Sequence, residues 1–157
     1  MYYTMLEKAI HLITEYQVFD FPIPVHIIKQ IISDHDIKIY IFKNLSNNCL
    51  LNGSIVSCNC PYCSEYRCSI VHEACHIMYQ SSNHFRNDYS INAKNEAQAN
   101  AFAAYFLMPV YVFEEAMTYT ENDYELAEEF GVTAQFVKYR KKLTEGLLLD
   151  GYFNELE

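Results

Sequence analysis

Two histidines and a glutamate, in the order His72-Glu73-Ala74-Cys75-His76, carry the strongest chemical signal in the chain. On a helix, residues four apart lie on one face about one turn from each other. Both imidazoles then point the same way. Glu73 is offset around the helix, close enough to reach a water on an ion held by the pair. In this H-E-x-x-H order two histidines can hold zinc while the glutamate acts as general base. Five residues also match by chance on partly buried helices, so the pattern needs support elsewhere in the chain.

A catalytic zinc takes three protein ligands and keeps one position open for water. The best third ligand is Glu96, twenty residues after His76 at the start of a second helical stretch. Asn100 lies one turn further along the same face. Its amide oxygen could accept a hydrogen bond from a ligating imidazole and fix its tautomer. A polar segment, residues 81–92, gives the second helix room to fold back on the first. Read alone, Glu96 would be a solvated carboxylate at a helix N-terminus, where the dipole favours it.

Other elements must position these groups. The chain has 157 residues, 51% of them hydrophobic, a size and composition that fit one globular domain. Apolar spacing predicts a helix over 4–17 and another over 25–33, separated by Phe21-Pro22-Ile23-Pro24. Alternation in Ile37 to Phe42 predicts a strand, and Cys49 to Ser57 a second strand region with Gly53 at a turn or bulge. The motif helix is expected over about 69–80, an Ala-rich helix over 94–107 ended by Pro109, and a short helix over 110–119. Two more helices are expected around Gly131. The pattern predicts an α+β fold, helices around a small β-sheet.

The stretch Glu96-Ala97-Gln98-Ala99-Asn100-Ala101-Phe102-Ala103-Ala104, running on to Leu107-Met108-Pro109, resembles the second signature of the ImmA/IrrE family of zinc metallopeptidases. That family pairs E-x-x-A-N-x-F-A-A and a closing L-M-P with an upstream H-E-x-x-H. The resemblance implies a zincin-like minimal metallopeptidase. It implies one catalytic Zn2+ held by His72, His76 and Glu96, with Glu73 as base. It further implies a narrow protein substrate, a helix-turn-helix transcriptional repressor of a mobile element, phage or stress programme. Leu126 to Val137 also has helix-turn-helix spacing, and the family often carries such a helical tail. Residues 1–157 are thus expected to form one metallopeptidase domain, a catalytic core to about 120 and a helical tail from about 121. Two features depart from the family: the cysteine-rich approach to the motif, and Cys75 within it.

Cys58, Cys60, Cys63 and Cys68 could hold a second, structural zinc through four thiolates. Their compactness argues against it, since four-cysteine sites usually separate their two knuckles by a dozen or more residues. The favoured reading is a run of reduced thiols, with Cys75 a small buried hydrophobe. For the oxyanion donor, His84, Tyr79 and Tyr105 are the candidates. A net charge of −9 disfavours non-specific nucleic-acid binding. Lys138, Arg140, Lys141 and Lys142 nevertheless give the tail a basic side, balanced by Asp123, Glu125, Glu128 and Glu129. The alternative function is therefore a non-catalytic regulatory module that binds a repressor or DNA through its tail. No stretch reads as a membrane span, and the N-terminus lacks signal-peptide features, so a cytoplasmic protein is expected.

Overall fold

One helix, α4 (Tyr89–Leu107), forms the centre of the helical core. From Ala99 to Leu107 every residue is buried except Asn100, which is half-buried. Four alanines in this half let neighbouring helices approach closely, while Phe102, Tyr105, Phe106 and Leu107 fill the space around them. A helix apolar all round must be covered all round. Here α1 (Tyr3–Glu15), α3 (Ser64–Tyr79) and α7 (Ala134–Leu149) cover it. The first half of α4 is different. Tyr89, Ser90, Ile91, Ala93 and Lys94 are exposed, and Glu96 follows them.

These elements come from a computed structural model that describes residues 2–42, 45, 48–58, 63–80 and 89–155, with side chains as far as Phe153. Helix α1 buries Met5, Leu6, Ala9 and Leu12, one helical stripe. Helix α2 (Val25–Asp34) buries Ile28, Ile31 and Ile32. Strands β1 (Ile39–Phe42), β2 (Cys49–Leu51) and β3 (Ser54–Cys58) form a sheet in the order β1-β3-β2. The stretch expected as one strand region is thus a hairpin. Asn52 (φ +49°) and Gly53 (φ +73°) make its two-residue turn, which needs positive φ at both positions. Strand β1 lies parallel to β3 on the far side. Buried Ile55, Val56, Ser57 and Cys58 fasten the sheet to α3 through Tyr66, whose hydroxyl accepts from Ser57 Oγ at 3.3 Å.

Pro109 caps α5 (Val110–Tyr119), which leads to the tail pair α6 (Asp123–Phe130) and α7. Asn122 and Thr133 cap the two helices, their side-chain oxygens accepting from Tyr124 N (2.9 Å) and Phe136 N (3.1 Å). Between them Gly131 sits at φ +60°, and a Cβ there would lie 2.8 Å from Pro22 Cβ. The tail is bolted to the core by Arg140, which is fully buried. Its Nε donates to Met108 O at 2.9 Å, its Nη1 donates to Thr144 Oγ1, and its guanidinium lies on the rings of Phe113 and Tyr105. The architecture is α+β. No helix among the described residues is long and apolar enough to cross a membrane.

Candidate metal centre

Helix α3 begins at Ser64, five residues before the expected start, so His72 and His76 sit in its last two turns. His76 is 3% exposed and His72 16%, while Glu96, reaching over from α4, is 52% exposed. Three ligand-type atoms converge. His72 Nε2 and His76 Nε2 are 3.0 Å apart. The Glu96 carboxylate lies 3.2 Å from the first and 3.3 Å from the second. Among the described residues, these three form the one group of His, Cys, Asp or Glu side chains close enough to share an ion.

The hydrogen bonds behind the rings give this convergence a chemical meaning. Gln80 Nε2 donates to Asn95 O at 2.9 Å, which turns Gln80 Oε1 toward His76 Nδ1, 2.6 Å away. An amide oxygen can only accept, so His76 Nδ1 carries the proton. Asn100 Oδ1, 3.0 Å from His72 Nδ1, sets the same tautomer there. In neutral imidazoles both Nε2 atoms then present lone pairs. Two lone pairs 3.0 Å apart, with a carboxylate beside them, repel one another unless a cation lies among them. Tetrahedral zinc, with bonds of about 2.0–2.1 Å, sets neighbouring ligand atoms roughly 3.3 Å apart. The separations found here fit that set.

Glu73, next to His72 on α3, lines an open cleft of about 640 Å³. His72, Asn100, Ser69, Cys68, Glu65 and Asn48 line it from α3, α4 and the sheet, and Thr133, Gln135 and Phe136 from the start of α7. Burial pushes the Glu73 carboxyl up to about 7, and the charge of Glu96 adds to the effect. The sequence expectations and the geometry meet at His72, Glu73, His76, Glu96 and Asn100. Gln80 and the α7 wall were not anticipated. The only signal for Gln80 was its helical spacing from His76. The α7 wall had no local signal at all.

The other expected residues lie elsewhere. Tyr79 packs edge-on against Phe102 with Lys8 over its ring. Tyr105 is buried under Arg140. Neither faces the cleft, and His84 lies outside the described residues. Cys58 is buried at the end of β3, Cys63 precedes α3, Cys68 lines the cleft and Cys60 lies outside the described residues. The described cysteines form no disulfide. Burial raises the Cys68 thiol to about 11 and that of Cys75 to about 12, so both are protonated at neutral pH.

Residues 63–142, which contain His72, Glu73, His76, Gln80, Glu96 and Asn100, match the Peptidase M78 family, described as the IrrE N-terminal-like domain. The chain belongs to that family. M78 membership makes it a metallopeptidase-like domain, and a metal centre is what the family leads one to expect. No curated protein matches the chain. Among solved structures, a Mycobacterium tuberculosis transcriptional regulator superposes with a TM-score of 0.71 at 18% identity. The match covers 87% of this chain and 46% of the regulator, so the M78 chain here spans less than half of that protein. At that identity the likeness concerns the fold.

Proposed function

We propose that the protein is a cytoplasmic, zinc-dependent endopeptidase that hydrolyses a peptide bond in one specific protein. On the sequence resemblance, that substrate is a helix-turn-helix transcriptional repressor of a mobile element, phage or stress programme. The observation that carries the reading is the meeting of His72 Nε2, His76 Nε2 and the Glu96 carboxylate within 3.3 Å, with Glu73 beside them in an open cleft.

His72, His76 and Glu96 would hold the zinc ion, which when bound would make an attacking water more acidic and act as a Lewis acid toward the scissile carbonyl. The chain's own residues do the rest. Asn100 and Gln80 keep the Nδ1 protons in place, so each ring offers Nε2 to the ion. Glu73 takes the proton of the attacking water and hands it to the leaving amide nitrogen. Its raised pKa suits both roles, because a carboxyl near 7 holds and releases a proton with similar ease. The cleft between α3 and the start of α7 admits an extended segment of another chain.

The tail gives less support to the alternative, a module that binds DNA through its basic side. Arg140 is buried, and Lys141 Nζ is held 2.6 Å from Asp123. The test is cleavage of a candidate repressor by zinc-loaded wild type and Glu73→Gln protein. Wild type is expected to cut, and Glu73→Gln to cut roughly 10²–10⁴-fold more slowly with its zinc retained. Equal rates would remove Glu73 from the mechanism.

A further inference from the structure

Gln80 touches both helices of the metal centre, and its position differs from that of Asn100. Asn100 is itself half-buried, but it sits within the buried half of α4, where its packed neighbours on the helix hold its backbone. Gln80 is the residue that closes α3. Its backbone N–H donates to His76 O at 3.2 Å, and its backbone is already extended (φ −128°, ψ 98°). From that point the chain leaves the helix. The side chain turns back and spans the junction. Its oxygen faces His76 Nδ1 at 2.6 Å, and its nitrogen donates to Asn95 O at 2.9 Å. Asn95 immediately precedes Glu96, so one amide holds the second ligand ring and the backbone beside the third ligand.

That backbone belongs to the exposed half of α4, where Tyr89 is 90% exposed and Ile91 46%. Apolar burial therefore does little to fix where Glu96 lies. The two polar ends of the Gln80 amide do what burial does for Asn100. A side chain with an acceptor and a donor, long enough to reach both helices, is needed here. Glutamate keeps the acceptor and loses the donor. Leucine keeps the bulk and loses both.

We infer that Gln80 is a positioning residue of the metal centre, a two-ended clamp that orients His76 and holds the first turns of α4 so that Glu96 completes the ligand set. The inference rests on the proposed zinc site. It predicts a graded loss of metal affinity that is separate from folding. Zinc affinity is measured by competition with a chromogenic chelator for wild type, Gln80→Leu and Gln80→Glu. The Co2+ spectrum of each is recorded, together with its metal-free thermal unfolding and the amide exchange of residues 89–95.

Gln80→Leu is expected to bind zinc about 10–100-fold more weakly, the usual effect of losing a partner behind a metal ligand. Its metal-free melting temperature should stay near that of wild type. Gln80→Glu should recover part of the affinity through His76. In both variants residues 89–95 should exchange faster and the Co2+ bands should change. Wild-type affinity in Gln80→Leu overturns the inference, as does an affinity loss matched by a general loss of metal-free stability. Equal weakness of Gln80→Glu and Gln80→Leu overturns the His76 half of the clamp. Failure of wild type itself to bind zinc overturns the metal site and the clamp together.

Discussion

The α3–α4 pair and the α6–α7 pair use polar groups in opposite ways. In the tail, most polar groups find partners within the molecule: Asn122 and Thr133 cap helices, Lys141 meets Asp123, and Arg140 reaches Met108 O, Thr144 and two aromatic faces, with only its Nη2 left without a hydrogen bond. In the α3–α4 pair, Asn100 and Gln80 spend their hydrogen bonds on the back edges of two imidazoles. That leaves the front edges and a carboxylate facing one another within 3.3 Å. Polar groups satisfied from within serve stability. Groups gathered front to front by their neighbours could take up something from outside, and a cation fits them.

This contrast can be broken from either side. The largest effect is expected in the tail. Arg140→Ala leaves Met108 O unpaired and opens a cavity between Phe113 and Tyr105, at a cost of roughly 3 kcal/mol. At this size that lowers the melting temperature by about 6–12 °C, measurable by calorimetry. Zinc affinity should not change. Arg140→Met fills the space without a buried charge and should cost less.

A smaller effect is expected at the site, with the opposite signature. Asn100→Ala removes the acceptor behind His72 and should weaken zinc binding about 10–100-fold while metal-free stability holds. If it lowered stability instead, Asn100 would belong with the tail's polar groups, as a packing contact. The smallest effect is Asn122→Ala, which removes a helix cap at an exposed position and should cost about 1 kcal/mol with no change in zinc binding.

The legible parts of the centre were the local ones. H-E-x-x-H and Glu96-x-x-x-Asn100 are each spaced one turn apart on their own helix, so spacing alone put those side chains on common faces. The buried half of α4 was legible as an Ala-rich apolar run for the same reason. Where the reading fell short, the answer depended on how helices rotate and meet. Tyr79 and Tyr105 have plausible chemistry, yet the helix turns them toward Phe102 and Arg140. Arg140 looked like part of a solvated basic face, and its burial follows only from α7 docking on α4 and α5. Gln80 looked like no more than the last residue of the motif helix. Its two partners are brought together only when α4 returns across α3. The early start of α3, at Ser64, put Cys68 on the helix and on the cleft wall, where a loop leading into the motif helix was expected.

The central claim is that His72, His76 and Glu96 hold one zinc ion. Elemental analysis of purified wild-type and His76→Ala protein, each exposed to zinc and then freed of excess, tests it most directly. The account predicts close to one zinc per chain in wild type and close to none in His76→Ala. Two zinc ions per chain, with one surviving in His76→Ala, would add a thiolate site among Cys58, Cys60, Cys63 and Cys68. No zinc in wild type, or undiminished zinc in His76→Ala, would contradict the account.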